Sequence, residues 1–174
     1  TPQAQRTRTC SAPRTRAIPA AALNMKPKEI SYKRSRFSTR LLADRLYTAG
    51  HSWLEHQGED VWRIGFTKFA VRMLGEVVEL GFETEPGAPV ETGQVVGWTE
   101  GFKAVTDMFS PLSGRFERFN PSVDKRVQLL TSDPYDKGWL FEIRGRPGDD
   151  CLDVHGYVSL LDTTIDKMLG RRHE

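Results

Sequence analysis

Short runs rich in apolar residues, separated by polar and turn residues, dominate the chain from Tyr47 onward. Short runs of this kind between turn residues predict strands. A turn is predicted at Gln57-Gly58, and many short strands at such spacing favour a small barrel or a sandwich. The predicted strands are residues 53–54, 61–66, 77–82, 94–99, 104–109, 115–119 and 139–143.

Helical spacing of apolar residues occurs at two places, and a third segment shows it in part. A short helix is predicted between a capping residue, Thr67, and a stop at Gly75, because threonine accepts a hydrogen bond at a helix start and glycine adopts the left-handed conformation at a helix end. A C-terminal helix is predicted over residues 159–169, and residues 35–46 are partly helical in their spacing. The two apolar faces are Phe69, Ala70, Met73 and Leu74 for the first helix, and Val158, Leu161, Ile165 and Met168 or Leu169 for the second.

Charge divides the chain into two parts. Residues 1–46 carry a net charge of +9 and residues 47–174 carry −7, within a total of +2. We predict a basic, flexible N-terminal extension over residues 1–46, dispensable for the fold of a single domain over residues 47–174. Few aromatic residues interleave with the basic ones, so nucleic-acid binding is disfavoured. The acidic body is suited to docking on basic patches of partner proteins.

The compartment is predicted from apolar runs and cysteines. No apolar run approaches the ~18 residues that a membrane-spanning helix needs, so we expect no membrane association. The two distant cysteines, Cys10 and Cys151, make neither a disulfide framework nor a zinc site, which favours a reducing, cytoplasmic location.

Residues 1–24 are rich in Arg, Ala, Ser and Thr and contain no acidic residue. A mitochondrial transit peptide is therefore the alternative, and sequence ahead of an initiator at Met25 is another interpretation.

No arrangement of side chains in the sequence predicts a self-contained active site. The carboxylates are numerous but scattered, and any pairing of them as acid and base would be arbitrary. The histidines lack a His or Cys partner at metal-ligand spacing, so we interpret them as structural or surface residues. They are His51, His56, His155 and His173.

One lysine, Lys103, lies in the turn between two strands that are predicted to pair. An exposed lysine is usually only solvated, but the sequence here is Glu100-Gly101-Phe102-Lys103-Ala104. We expect Gly101 to supply a positive φ that sharpens the turn and lifts Lys103 clear of the sheet. Lysine joins a flexible stem to a nucleophilic amine, and acylation removes its charge and extends its reach.

Seven sequence motifs occur in an order and at spacings that together are specific, although each is weak alone. They are Tyr47-Thr48 with His51-Ser52-Trp53, Ile64-Gly65-Phe66-Thr67, Met73-Leu74-Gly75-Glu76-Val77-Val78, Glu100-Gly101-Phe102-Lys103-Ala104, Ser110-Pro111-Leu112-Ser113-Gly114, Asn120-Pro121, and Asp133-Pro134-Tyr135 with Gly138-Trp139-Leu140. In this series the chain resembles the glycine cleavage H-protein family, from about residue 47 to residue 169. The resemblance implies a mainly β fold: a flattened β-barrel or sandwich of the lipoyl-domain type, a barrel-sandwich hybrid with short helices and a C-terminal helix.

The resemblance also implies a covalent lipoyl group on Lys103. Lipoylated domains share a glutamate three residues before the lysine, here Glu100, and glycines well before and eleven residues after it, here Gly87 and Gly114. Biotin carriers instead flank their lysine with methionines, whereas Phe102 and Ala104 flank Lys103. We expect Gly101 and Phe102 to complete the tip that the modifying enzyme recognises.

The function implied by the resemblance is that of a carrier without an active site of its own. The lipoyl arm would accept the aminomethyl group from glycine decarboxylase, a pyridoxal-phosphate enzyme, and present it to an aminomethyltransferase. Lipoamide dehydrogenase would reoxidise the arm, and a lipoate ligase or a lipoyl/octanoyl transferase would attach it.

The chain departs from the family's usual pattern at and near the tip. Gly101-Phe102 replaces the usual Ser-Val, and Lys68 stands where an acidic residue is common. An alternative function is therefore a lipoate carrier for another pathway, such as sulfur oxidation or a lipoyl relay. A second alternative, of a different class, is a binding module that uses the basic tail.

Overall fold

The computed structural model describes residues 26–171 of the chain. The expectations about residues 1–24, Cys10 and His173 lie outside the described residues.

Eleven strands and four helices occur within residues 26–171. In chain order they are β1 (Glu29–Arg34), β2 (Phe37–Leu42), β3 (Leu46–Tyr47), β4 (Ser52–Gly58), β5 (Val61–Phe66), α1 (Lys68–Leu74), β6 (Val77–Phe82), β7 (Pro89–Val90), β8 (Val95–Gly101), β9 (Val105–Phe109), β10 (Leu112–Phe119), α2 (Pro121–Lys125), α3 (Leu129–Ser132), β11 (Trp139–Pro147) and α4 (Val154–Gly170).

The strands form two main sheets and a separate hairpin. One sheet has six strands in the order β3-β4-β5-β11-β10-β7, the second has three in the order β6-β8-β9, and β1 pairs with β2. Side chains from both main sheets share one buried cluster, which includes Leu54, Ile64, Val96, Met108 and Phe116. The predicted mainly β barrel-sandwich with short helices and a C-terminal helix is confirmed.

The first helix forms where its capping residues predict it. The side chain of Thr67 accepts a hydrogen bond from the backbone N of Ala70, and Gly75 ends the helix with a left-handed φ of 74°. The predicted apolar face is wrong at one position, because Met73 is exposed and Val71 is buried. Thus α1 is a helix of two turns that packs against the body and ends at Gly75.

Other boundaries differ from the predictions by a few residues. The turn predicted at Gln57-Gly58 lies instead at Glu59 and Asp60, whose φ values of 50° and 61° are those of a two-residue turn with both central residues left-handed. The C-terminal helix begins at Val154, because the Asp153 side chain caps it by accepting from the backbone N of Gly156 at 2.7 Å.

The segment of residues 35–46 is not helical, which makes that prediction wrong. In β2 the side chains of Phe37, Thr39 and Leu41 are buried, while those of Ser38 and Arg40 are exposed. This period of two is the period of a strand. Thr39 is polar but buried, so the alternation was hidden when only apolar residues were counted.

The hairpin β1-β2 packs against α4. Tyr32, Phe37 and Leu41 share a buried cluster with Leu161 and Ile165 of the helix. Polar contacts reinforce the packing, since the Tyr32 hydroxyl donates to an Asp162 carboxylate oxygen at 2.8 Å and Arg34 forms ion pairs with Asp162 and Asp166.

This packing differs from the flexibility expected of residues 29–42, whereas the dispensability of the extension stays a prediction. Residues 29–42 are an ordered hairpin with apolar side chains in the core. The boundary between residues 46 and 47 stays a prediction.

Between residues 26 and 171 no helix combines the length and apolar character needed to cross a membrane.

Leu41→Ala should destabilise the whole protein and not only the hairpin. Leu41 is fully buried, and truncation of a buried leucine to alanine costs about 2–5 kcal/mol in the free energy of unfolding. Urea unfolding should show a lower midpoint at an unchanged slope. Ser38→Ala, an exposed position in the same strand, is the control, and equal midpoints for the two variants would contradict the packing.

Candidate functional site

The hairpin between β8 and β9 presents two residues at its tip. The backbone N of Gly101 donates to the carbonyl oxygen of Ala104 at 2.8 Å, which closes the hairpin and leaves Phe102 and Lys103 as the loop. Both side chains are exposed, and that of Phe102 has 75% of its surface accessible. The predicted pairing of these two strands around Lys103 is confirmed.

The backbone of the tip is held by the end of α1. The N–H of Lys103 donates to the carbonyl oxygen of Leu74 at 2.9 Å, and the N–H of Phe102 donates to that of Glu76 at 3.1 Å. The first bond satisfies one of the carbonyls that a helix end leaves without an internal partner, and the second is made to a residue just after the helix. We call this pair of hydrogen bonds the clasp. It fixes the backbone beneath Lys103 while the side chain stays free.

Gly75 provides the space in which the stem of Lys103 lies. A Cβ added to Gly75 would be 2.5 Å from the Lys103 Cγ and 2.8 Å from its Cδ. The left-handed φ that ends α1 therefore also leaves bare backbone under the lysine stem. The sequence predicted Gly75 as a helix stop, but its contact with Lys103 joins residues far apart in the chain.

Gly101 is required for a different reason from the predicted one. Its φ is not positive, so the expectation that it sharpens the turn in this way is wrong. A Cβ at Gly101 would instead overlap the carbonyl group of Leu74. Glycine at this position lets β8 approach the end of α1 closely enough for the clasp to form.

The side-chain amine of Lys103 makes no ion pair within the described range. Glu100 lies on β8 opposite Val105 on one side and Glu79 on the other. Its side chain is exposed. It thus places a free carboxylate near the tip without neutralising the lysine.

The two glycines that lipoylated domains share lie away from the tip. Gly87 has a φ of 88° and donates its N–H to the carbonyl oxygen of Phe116 at 2.7 Å. Gly114 lies in β10 between Val90 and Gly145, where a Cβ would overlap the carbonyl oxygen of Arg144. The structure therefore brings Glu100, Gly101 and Phe102 to Lys103, whereas Gly114 lies in β10 of the six-stranded sheet and Gly87 is hydrogen-bonded to that strand.

A groove of about 560 Å³ begins beside the tip at Ala104. We call it the tip groove. Its walls include Met73 and Leu74 of α1, Val105 and Phe109 of β9, and the turn before β4. Met73, Val105 and Phe109 are among the large apolar side chains exposed in the described residues. The predictions missed this groove because no single segment carries it.

His51 closes one side of the tip groove and links it to the helices. Its Nδ1 lies 3.0 Å from the Tyr157 hydroxyl, which lies 2.8 Å from the Thr67 hydroxyl that caps α1. Its ring also packs against Phe69 at 4.6 Å between centroids. Burial lowers the pKa of His51 to about 4, so the ring is neutral near pH 7. His51 is thus structural, and residues 26–171 contain no cluster of three or more His, Cys, Asp or Glu suited to a metal ion.

Comparison with known proteins gives consistent matches. A family model described as "Glycine cleavage H-protein" matches residues 45–156. The glycine cleavage system H protein of Mycobacterium tuberculosis is 37% identical over 124 residues, which are 71% of this chain and 89% of that protein. The H protein of Thermus thermophilus is 34% identical over 123 residues, which are 69% of this chain and 94% of that protein. The crystal structure of a glycine cleavage system H protein from Mycobacterium marinum is similar, with a TM-score of 0.63 and 29% sequence identity. The match covers 68% of this chain and 97% of that chain.

These matches identify the barrel-sandwich as a carrier domain. The chain belongs to the glycine cleavage H-protein family. It is a lipoate-carrying shuttle protein of the glycine cleavage system, and the family carries a lipoyl group and is not a catalyst. The resemblance found in the sequence is confirmed.

Gly101→Ala should slow lipoylation although alanine adds only one methyl group. The added Cβ overlaps the Leu74 carbonyl, so the tip must move away from α1 and the clasp must weaken. Displacement of a reacting group by about 1 Å can cost ~100-fold in rate, and we expect a loss of about 10–100-fold. The rate is measured as the gain of mass with purified lipoate ligase. Gly170→Ala, where a Cβ meets open space, is the control, and equal rates would contradict the steric account.

The free energy of unfolding should fall less at acid pH in His51→Asn than in the wild type. The lowered pKa of His51 means that between about pH 6.5 and pH 4 the unfolded chain binds a proton that the folded protein does not, so its folding stability falls as the pH falls. From pH 8 to pH 5 this loss is about 2 kcal/mol. Asparagine accepts the left-handed φ of 64° at this position. Urea unfolding at both pH values should show the smaller loss in the variant, and equal losses would refute the assignment.

Proposed function

We propose that Lys103 is the lipoyl attachment site of this shuttle protein. The observation that carries the proposal is the clasp, which holds the backbone of an exposed lysine at a hairpin tip while its amine has no ion pair in the described structure. A modifying enzyme needs an accessible amine at a reproducible position. Lys103 meets both conditions.

The surroundings of Lys103 fit a lipoyl group. The lysine stem lies over Gly75, and the tip groove beside it exposes apolar side chains from α1 and β9. When bound, the lipoyl group supplies a disulfide that can take up the aminomethyl group and electrons. In this proposal Met73, Val105 and Phe109 exclude water from what the lysine carries.

Recognition by the modifying enzyme is proposed to depend on the tip itself. Glu100, Gly101 and Phe102 lie next to Lys103, and a lipoate ligase or a lipoyl/octanoyl transferase can contact them together. Gly87 and Gly114 act indirectly through β10. Gly87 adopts a left-handed φ and donates its N–H to Phe116, and Gly114 permits a close contact with the Arg144 backbone.

The proposed partners are glycine decarboxylase, aminomethyltransferase and lipoamide dehydrogenase, with no catalysis by the carrier itself. The chain contributes position: a fixed backbone, a free stem and a sheltered groove. A lipoate carrier for another pathway is the second candidate. It is favoured by one feature, the exposed ring of Phe102 beside the lysine, which the active-site entrance of any partner must accommodate.

Lys103→Arg should abolish both lipoylation and function, because arginine keeps the charge but lacks the primary amine. Intact mass after incubation with a lipoate ligase should show the lipoyl increment in the wild type only. The lipoylated wild type should then support glycine–bicarbonate exchange by glycine decarboxylase from the same organism, and the variant should support none.

Phe102→Val, run alongside, tests the alternative pathway. A lipoyl increment on Lys103→Arg would show that the attachment site is elsewhere. Confirmed lipoylation of Lys103 with no exchange from either the wild type or Phe102→Val would move the assignment to another lipoate-dependent pathway.

A further inference from the structure

A second groove, of about 590 Å³, lies between the N-terminal hairpin and the body. The hairpin lies outside residues 45–156, the part of the chain that the family model matches. Lys33 and Arg40 on the hairpin and Lys68 at the start of α1 line this groove. We call it the basic groove.

The lining of the basic groove is suited to an anionic group. Besides the three cations it consists of five serine and threonine residues, two tyrosines and a proline, and no carboxylate lines it among the described residues. Lys33 and Lys68 form no ion pair in the described range, whereas Arg40 pairs with Glu29 at 3.3 Å on the surface. Lys68 belongs to α1, so the body as well as the hairpin contributes positive charge to the groove.

A buried cation lies near one of the residues that line the groove. Arg45 has only 6% of its surface exposed, its guanidinium lies 4.2 Å from the Trp53 ring, and its Nε and Nη1 have no hydrogen-bond partner. Its Nη2 forms an ion pair with Glu55 at 3.5 Å. Trp53 in turn packs against Tyr135, which lines the groove. Glu55 therefore offsets the charge of Arg45, and the positive charge of the groove rests on Lys33, Arg40 and Lys68.

The basic groove and the lysine tip share one short helix. Lys68, the first residue of α1, lines the groove, and Leu74, the last, holds the backbone of Lys103. The two are about 9 Å apart along the helix axis. The hairpin also contacts this helix, because Arg72 donates to the carbonyl oxygen of Arg36 at 3.1 Å. A standard protein interface buries about 800 Å² on each partner, so an interface of that size centred on the tip is large enough to reach Lys68 as well.

The charges on the two sides of the tip are opposite. Residues 76–107 contain seven Asp and Glu and one Lys, whereas residues 26–46 contain seven Lys and Arg and two acidic residues. The predicted docking of an acidic body on basic patches therefore describes only half of the surface around the arm. A partner that fits this protein must also present negative charge on the hairpin side.

We propose that the basic groove docks a carboxylate-rich segment of the enzyme that loads the arm. This inference rests on the proposed function, in which that enzyme is glycine decarboxylase. The hairpin then acts as a partner-selecting addition to a carrier fold, and its charges set the affinity of the carrier for the enzyme and not the chemistry of the arm.

The test uses the full-length lipoylated protein and glycine decarboxylase from the same organism. The KM for the carrier and kcat are measured by glycine–bicarbonate exchange at about 20 and about 300 mM NaCl, where screening lengths differ severalfold. The groove variant is Lys33→Glu/Lys68→Glu. The matched control is Lys125→Glu/Lys137→Glu, which makes the same charge change in a different groove.

The groove variant should raise KM by about tenfold or more at low salt, with kcat unchanged and a weaker dependence on salt. The control should change KM by less than about twofold. Equal KM values for the two variants would overturn the proposal. Inorganic phosphate at constant ionic strength should raise the KM of the wild type more than that of the groove variant, because it competes with the carboxylates for the groove. An equal effect on both proteins would also overturn the proposal.

Failure of the proposed function gives a separate result. If the lipoylated wild type supports no exchange, the groove is tested directly by calorimetry, with an alternating Asp-Glu peptide of about ten residues at low salt. Binding to the wild type that is lost in Lys33→Glu/Lys68→Glu supports an acidic partner of another identity. No binding to the wild type refutes the inference.

Discussion

Two backbone hydrogen bonds, from Lys103 to Leu74 and from Phe102 to Glu76, position Lys103, the proposed lipoyl attachment site. A two-residue hairpin loop on its own would leave the tip free to move relative to the body. The clasp joins it to the end of a helix that is packed in the core, so the backbone of Lys103 is held while its side chain is not. A carrier requires both properties, because each enzyme must find the same lysine and the arm must then travel.

Helix α1 connects the tip to other parts of the protein through contacts at its start, its side and its end. At its start, Thr67 caps the helix and lies within hydrogen-bonding distance of Tyr157 from α4. Along its side, Arg72 contacts the added hairpin. At its end, Gly75 and the clasp hold the lysine. The hairpin and α4 are therefore connected to the tip through seven helical residues.

Local sequence rules predicted much of the fold, because its strands and α1 follow local patterns. β5 and β6 match their predicted bounds, since each is a short run rich in apolar residues. The caps of α1 were predicted for the same reason, as Thr67 and Gly75 act within one turn. The hairpin was missed because buried Thr39 disguises its period, and its packing partners lie more than 100 residues away in α4.

The site was predicted only in part. Lys103 and its neighbours form one continuous segment, so the tip was identified from the sequence. The role of Gly101 was misassigned because the need for glycine comes from the approach of Leu74, which the sequence of the tip does not contain. The tip groove and the basic groove are each built from several segments, so they required the structure.

The most direct test of the clasp is hydrogen exchange of the backbone amides of Lys103 and Phe102 in the unlipoylated protein. Both residues are exposed at a hairpin tip, where unclasped amides would exchange near the rate of an unstructured peptide. The clasp predicts exchange at least ~100-fold slower for both amides, because release requires local opening at the end of α1. Exchange of both amides within about twofold of the unstructured rate would contradict the account.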